Sequence, residues 1–134
     1  MINKSFEGGK PIKVEFDFGE KGVHDQEGRT ITCHFKSFVL VVSYMPNSGV
    51  PSLSRLNYRV NLWDRDFLHY IKEEVEVKTE KPVILCGDLN VAFAEIDIYK
   101  CDKSHMKQAG FTDQERNSFA DFLTETGFVD TYRH

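Results

Sequence analysis

Apolar and polar residues alternate along the first third of the chain with the two-residue period of half-buried β-strands. Residues 12–17 read Ile-Lys-Val-Glu-Phe-Asp, and residues 31–35 alternate in the same way. Turn formers and charged residues fill the segment between them, and residues 25–28 are typical of a hairpin connection. Residues 38–44 form a longer β-branched and aromatic run, which predicts a central strand buried on both faces.

After Leu53 the period changes to that of a helix. Apolar residues recur at intervals of three and four, which places them on one helix face. They are Leu56, Val60, Trp63, Phe67, Ile71 and Val75. The charged residues of this segment fall elsewhere on the helix and include Arg59, Asp64, Arg65, Lys72 and Glu73. Ser52 and Ser54 are both suited to cap its start.

A short strand and a second helix are predicted in the rest of the chain. Residues 82–86 have the composition of a buried parallel strand. A polar loop covers about residues 95–108. Thr112 and Glu115 then form a capping box, and Gly127 stands where a helix-ending glycine belongs. The order β, β, β, α, β, α predicts a mixed α/β or α+β fold.

The composition suits a folded protein but does not by itself indicate a nucleic-acid partner. Hydrophobic residues make up 40% and charged residues 28%, both close to ordinary globular values. The net charge is −4, whereas proteins that hold DNA by charge alone are usually basic. No apolar run has membrane-spanning length and the start has no signal-peptide core, so we expect a soluble, intracellular protein.

The chain has three cysteines, an odd number, and they are far apart without a C-x-x-C motif. This pattern argues against a disulfide framework and favours a reducing compartment. Cys33 and Cys86 lie in apolar strand patterns. We therefore expect both to be packing thiols rather than reactive ones.

Asp88 and Asn90 directly follow a predicted buried strand and are the first candidates for chemistry. Side chains two residues apart on an extended backbone point the same way. A carboxylate there can accept a proton from water or ligate a hard cation, and a carboxamide can bind phosphate or orient the water. Turns after strands also use Gly, Asp and Asn for their backbone shapes, so the spacing alone favours neither interpretation.

Tyr44 and Asn47 leave the longer predicted strand in a similar way. In one interpretation their phenol and amide face the same ligand as Asp88. In the other, Tyr44 packs at the sheet edge and Asn47 belongs to an Asn-Ser-Gly turn. Periodicity does not decide between these. Four basic residues cluster in the polar loop, and they are Lys100, Lys103, His105 and Lys107. A solvated surface explains such a cluster more often than a phosphate-contacting patch does.

Seven segments occur in an order that resembles one known family. They are HDQEGR (24–29), YMPNSG (44–49), RLNYR (55–59), GDLNVA (87–92), EID (95–97), AGFT with ER (109–116) and VDTYRH (129–134). The order resembles the exonuclease III family of abasic-site (AP) endonucleases, in the endonuclease/exonuclease/phosphatase superfamily. The residues in these segments are more similar to the eukaryotic branch of the family than to the bacterial one. Gly-Asp-x-Asn alone indicates only the superfamily, whereas the AGFT and VDTYRH segments are specific to the family.

The resemblance implies a Mg²⁺-dependent phosphodiesterase, with Mn²⁺ as an alternative ion, that cuts DNA 5′ of a baseless sugar. Asp88 would orient or deprotonate the attacking water and contribute to metal binding. Asn90 would hold that water, the phosphate and the metal. Tyr44 would stabilise the transition state. Substrate contacts would come from Asn47, Lys103, His105 and Gln108.

The same resemblance implies further properties of a complete protein. The fold would be a four-layer α/β sandwich of two β-sheets with helices outside. A 3′-exonuclease or 3′-phosphodiesterase activity would accompany the endonuclease, and the partner would be duplex DNA with abasic sites. The protein would be a monomer in the nucleus or, alternatively, in mitochondria. Residues 1–134 would form only the middle of that domain. The family's metal-binding glutamate and Ser-Asp-His segment come from terminal strands that have no counterpart here.

Two further departures affect the DNA contacts. The loop of residues 50–52 is one residue longer than in close eukaryotic relatives and lacks their DNA-contacting arginine, and His105 and Gln108 stand where relatives have asparagines.

Three hypotheses follow from the sequence and the resemblance. The first is a partial endonuclease domain that is inactive alone, the second a non-catalytic half-domain that binds DNA or a protein, and the third a related phosphodiesterase for RNA or phospholipid, which the AGFT and VDTYRH segments disfavour.

Overall fold

A computed structural model describes residue 5 and residues 9–19, 23–24 and 27–134. Four strands form one sheet in sequence order: β1 (Lys13–Phe16), β2 (Thr30–His34), β3 (Val39–Tyr44) and β4 (Val83–Asp88). β1–β2 and β2–β3 pair antiparallel, and β3–β4 pair parallel. The four predicted strands and the parallel pairing are confirmed. The predicted hairpin connection at 25–28 lies partly outside the described residues.

The described residues contain three α-helices and two π-helical segments, which follow the strands or connect them. They are α1 (Leu56–Tyr58), a first π segment (Arg59–Trp63), α2 (Asp64–His69), a second π segment (Tyr70–Val77) and α3 (Asp113–Thr126). Short 3₁₀ turns occur at Glu95–Asp97 and His105–Lys107, inside the predicted polar loop. By internal contacts the chain divides into a sheet unit, Met1–Met45 with His69–Leu89, and a helical unit, Pro46–Leu68 with Asn90–His134.

One face of the sheet is the core of the sheet unit. Five inward residues of β2 and β3 are at most 1% exposed, and they are Thr30, Thr32, Val39, Val41 and Ser43. His34, at the end of β2, is half-buried. The hydroxyls of Thr30 and Ser43 lie 3.1 Å apart, and that of Thr32 lies 2.7 Å from the Tyr70 hydroxyl. The second π segment therefore packs on this face, where hydroxyl pairs satisfy the buried polar atoms.

The opposite face carries the alternate residues of all four strands. The strand register places on it Val14, Phe16, Ile31, Cys33, Leu40, Val42, Tyr44, Ile84, Cys86 and Asp88. Val42 is 37% and Ile84 51% exposed, and Cys86 is exposed as well. The predictions that β3 is buried on both faces, that β4 is buried and that Cys86 is a packing thiol are therefore wrong. A sequence pattern shows which residues are hydrophobic but not what packs against them, and no described element covers this face.

The helix that begins at Leu56 carries a four-residue repeat on its buried side. Its members are at most 1% exposed, and they are Arg59, Trp63, Phe67, Ile71 and Val75. In an α-helix of 3.6 residues per turn, each four-residue step turns the side chain by about 40° away from the starting face. π turns are wider, and the Asp64 N–H bonds to the Arg59 carbonyl five residues back. The π segments thus keep a period of four on one side.

Arg59 is buried, contrary to the prediction that placed it away from the apolar face, and the predicted Leu56 and Val60 are only half-buried. The Arg59 Nε donates to the Asp64 carboxylate at 2.6 Å, and a terminal nitrogen of Arg59 donates to the Pro46 carbonyl at 2.7 Å. Burial raises the pKa of Asp64, while the Arg59 guanidinium and the Ser118 hydroxyl act in the opposite direction. A guanidinium is tolerated there because it has partners.

In the helical unit, stacked aromatic rings join the first helical stretch to α3. The Phe67 ring lies 6.5 Å from Trp63 and 6.0 Å from Phe122. α3 begins with the predicted capping box of Thr112 and Glu115 and ends at a left-handed glycine, so both predictions are confirmed. No helix within the described ranges is long and apolar enough to cross a membrane.

Candidate active site

The ends of β3 and β4 bring two of the predicted site residues side by side in the sheet unit. Tyr44 and Asp88 are register partners, and the Met45 N–H donates to the Asp88 carbonyl at 2.9 Å. Gly87 has a φ of +132°, and a Cβ at this position would meet the Ser43 carbonyl oxygen at 2.0 Å. Only glycine allows the two strands to approach this closely at the point where the polar side chains emerge.

Tyr44 is 52% exposed, so it is not a core tyrosine. The Arg29 guanidinium lies 4.9 Å from the centre of its ring and donates to its carbonyl at 3.0 Å. Arg29 also donates to Glu27 at 2.5 Å. A cation over the ring and a bond to the same residue's backbone restrict the phenol. Sequence reasoning did not single out Arg29, although it closes the HDQEGR segment.

The helical unit contains the two predicted asparagines, and they are bonded to each other. The Asn47 side-chain N–H donates to the Asn90 side-chain oxygen at 3.1 Å, and the Gly49 N–H donates to the Asn47 oxygen at 2.9 Å. These bonds fix which end of each amide is the nitrogen. Asn90 has a left-handed φ of +48°, a conformation that asparagine tolerates. Asn90 therefore has the backbone conformation of the turn interpretation, and its role in a site stays a prediction.

Glu115 holds the loops on either side of this asparagine pair. The carboxylate is fully buried and accepts from the Ser48 hydroxyl at 2.5 Å, the Gly110 N–H at 2.9 Å, and the Thr112 N–H and hydroxyl at 3.0 and 2.7 Å. Ser48 follows Asn47 in the chain. The Gly110 carbonyl accepts from the Ala92 N–H at 2.7 Å, two residues after Asn90. The sequence predicted the capping box but not the bond to Ser48.

We expect Asn47→Asp to destabilise the chain by about 1–2 kcal/mol, because a carboxylate oxygen would face the Asn90 carbonyl oxygen with no donor between them. Urea unfolding followed by circular dichroism measures the change. Asn61→Asp is the matched control, since Asn61 makes an equivalent 2.8 Å bond to Asn57 on an exposed surface. Equal effects of the two substitutions would contradict the prediction.

The predicted DNA-contacting residues of the loop are accessible. Lys103 and Gln108 are exposed and His105 is half-buried. The His105 Nδ1 lies 3.1 Å from an Asp102 carboxylate oxygen. The Ser104 hydroxyl and N–H, followed by His105, lower the pKa of Asp102 despite an opposing desolvation effect. Within the part of the chain that the structure describes, no three His, Cys, Asp or Glu side chains are grouped so that they could hold a metal ion.

Comparison with known proteins identifies relatives over nearly the whole chain. It is 48% identical over 125 residues to a DNA-(apurinic or apyrimidinic site) endonuclease of Dictyostelium discoideum, covering 93% of the chain and 33% of the relative. It is 47% identical to an exodeoxyribonuclease of Bacillus subtilis, covering 46% of that protein. The chain is homologous to the AP endonucleases and exodeoxyribonucleases. It is 46% identical to the DNA repair nuclease APEX1 of Danio rerio, covering 37% of it.

Solved AP endonuclease structures share the fold. The Leishmania major enzyme superimposes with a TM-score of 0.73 at 30% identity over 90% of this chain, and the Archaeoglobus fulgidus enzyme with 0.74 at 26% identity over 92%. The chain spans 42% and 46% of those two proteins. No model of a known protein family matches the chain. The predicted α/β class, as part of an endonuclease/exonuclease/phosphatase sandwich, is confirmed.

Proposed function

We propose that this AP endonuclease homologue is part of a DNA repair phosphodiesterase that hydrolyses the backbone 5′ to abasic sites. The observation that carries the proposal is 48% identity over 125 residues to a DNA-(apurinic or apyrimidinic site) endonuclease. The match to exodeoxyribonucleases supports an accompanying 3′-exonuclease or 3′-phosphodiesterase activity. Duplex DNA with abasic sites is the proposed partner and the nucleus the proposed location.

In this proposal Asp88 orients or deprotonates the attacking water, and Asn90 holds the water and the phosphate. Tyr44 donates its phenol to the charge that develops on the phosphate, and Asn47 contacts the same group. The exposure of Asp88 and Tyr44, and their adjacent positions at two strand ends, support these roles. Phosphoryl transfer depends on positioned donors and charge, so pre-oriented amides and a restrained phenol suit it.

The proposed ion is Mg²⁺, with Mn²⁺ as the alternative, and Asp88 and Asn90 are its proposed ligands. When bound, such an ion supplies charge to stabilise the attacking and leaving oxygens. Carboxylate and carboxamide oxygens are the donors it prefers. The described residues nevertheless contain no group of three acidic, His or Cys side chains that could hold an ion. The donors present are too few, and we therefore expect no incision by the chain alone.

A second candidate function is a non-catalytic half-domain that binds DNA or a protein. The lack of three grouped His, Cys, Asp or Glu side chains among the described residues favours it. The accessible Lys103, His105 and Gln108 would be its DNA contacts. The chain's net charge of −4 makes non-specific binding to undamaged DNA weak. Binding therefore has to be measured separately from incision.

The test uses the chain alone and a chimaera in which residues 12–134 replace the matching segment of the Bacillus exodeoxyribonuclease. Each is incubated with a duplex that contains one abasic analogue, with Mg²⁺ or with EDTA. We expect Mg²⁺-dependent incision by the chimaera, a loss on the order of 10²–10⁴-fold in its Asp88→Asn variant, and no incision by the chain alone.

Asp121→Asn, on the exposed side of α3, is the control and should leave incision by the chimaera unchanged. A folded chimaera that binds the abasic duplex without cutting it would favour the half-domain. Incision by the chain alone that is lost in Asp88→Ala would overturn the expectation of inactivity.

A further inference from the structure

Two buried charges hold the residues on either side of Asn47 in the helical unit. Among the residues whose side chains the structure describes, the buried charged ones are Arg59 and Glu115, at 1% and 0% exposure. A terminal nitrogen of Arg59 donates to the carbonyl of Pro46, the residue before Asn47, at 2.7 Å. Glu115 accepts from the hydroxyl of Ser48, the residue after Asn47, at 2.5 Å. Each buried charge therefore holds one chain neighbour of the same asparagine.

Stability alone gives little reason to bury these charges. Taking an ion out of water carries a penalty that hydrogen bonds offset only in part, and apolar residues often fill such sites without loss of stability. A protein departs from the ordinary rules of core packing chiefly at functional sites. Two such departures at one loop indicate that the backbone of residues 46–48 has to be held in place.

The same carboxylate also holds the loop that follows Asn90. Glu115 accepts from the Gly110 N–H at 2.9 Å, and the Gly110 carbonyl accepts from the Ala92 N–H at 2.7 Å. A Cβ at Gly110 would lie 3.4 Å from the Asn90 carbonyl oxygen, so the two segments are in close contact. Because one carboxylate holds both sides, the 3.1 Å bond between the Asn47 and Asn90 side chains joins two residues that are already restrained.

We propose that Ser48 is a positioning residue, which keeps the Asn47 amide in its bond to Asn90 by anchoring it to the Glu115 carboxylate. The Ser48 hydroxyl ties the Asn47 segment to this carboxylate, whereas the other bonds described above come from residues 110–112. Ser48 is 0% exposed and acts through Asn47 rather than on the substrate. The proposal rests on the proposed function, in which Asn47 contacts the phosphate.

Steady-state incision by the chimaera of residues 12–134 measures the kinetic effect. We expect Ser48→Ala to lower kcat and kcat/KM by the same factor, at least about tenfold, since misplacing a group by about 1 Å can cost on the order of 100-fold. Thr32→Val is the matched control and should leave both constants unchanged. Thr32 is also 0% exposed, and its hydroxyl lies 2.7 Å from the Tyr70 hydroxyl in the sheet unit.

Hydrogen exchange of the Asn47 side-chain amide, followed by NMR in the 134-residue chain, measures the positioning without any activity. The Asn47 signals are assigned by their loss in Asn47→Asp, and the proton bonded to Asn90 should be protected. Ser48→Ala should accelerate its exchange at least about tenfold, because local opening of the bond becomes easier. Thr32→Val should leave the exchange unchanged.

The two readouts separate failure of the proposal from failure of the proposed function. A chimaera without Mg²⁺-dependent incision would refute the function, and exchange in the chain would then decide the positioning alone. Unchanged Asn47 exchange in Ser48→Ala, an equal fall in kcat in Thr32→Val, or a rise in KM with kcat unaltered would overturn the proposal. Loss of the folded state in Ser48→Ala would overturn it too, since the residue would then be structural.

Discussion

Replacing Arg59 with methionine is expected to lower the free energy of unfolding by about 3–5 kcal/mol, the usual effect of removing one partner of a buried ion pair. Arg59 is 1% exposed, and its guanidinium donates hydrogen bonds to both the Asp64 carboxylate and the Pro46 carbonyl. Methionine fills a similar volume but donates nothing. The Asp64 carboxylate would keep its 2.8 Å bond from the Ser118 hydroxyl but lose its counter-charge.

Urea unfolding measures this effect, and Arg65→Met is the matched control. Arg65 is exposed six residues further along, so its replacement should change stability by no more than about 0.5 kcal/mol. Combining Arg59→Met with Asp64→Leu should recover part of the loss, because an apolar pair leaves no charge buried. A double variant less stable than Arg59→Met would show that the destabilisation does not come from the unpaired carboxylate.

Replacing Glu115 with glutamine is expected to cost about 2–4 kcal/mol. The carboxylate accepts from four donors on Ser48, Gly110 and Thr112. A carboxamide has one acceptor oxygen, and its NH₂ group would face donors rather than acceptors. Exchange of the Gly110 and Thr112 amide hydrogens should therefore accelerate more than exchange in the middle of α3.

Glu125→Gln serves as the control for Glu115→Gln, since it makes the same chemical change on an exposed part of the same helix. Little change in stability is expected there. Uniform acceleration of exchange along α3 in Glu115→Gln would contradict a local role in holding the loops. Loss of stability together with selective exchange at Gly110 and Thr112 would support it.

Local rules predicted the elements of this fold correctly. Two-residue alternation gave β1 and β2, the β-branched run gave β3, and the apolar run before Gly87 gave the parallel β4. The capping box predicted the start of α3 to the residue. These signals depend on contacts within a few positions of the chain, which the sequence displays directly.

Residues that act across long sequence separations were the ones missed. Arg59 was predicted to lie away from the apolar face, because a helical pattern cannot show that its guanidinium donates to a carbonyl 13 residues earlier in the chain. The Asn47–Asn90 bond joins residues 43 positions apart, and the Ser48–Glu115 bond joins residues 67 apart. No periodicity connects such pairs.

By itself, then, the sequence determined the α/β class, the order of strands and helices along the chain and the relationship to AP endonucleases, because the hydrophobic period and the ordered motifs are local features of the sequence. Tertiary structure alone decided which charges are buried, how the two asparagine amides are oriented, and which face of the sheet is covered. Burial depends on what packs against a residue, and a strand that reads as fully apolar is buried on both faces only where another element lies against each.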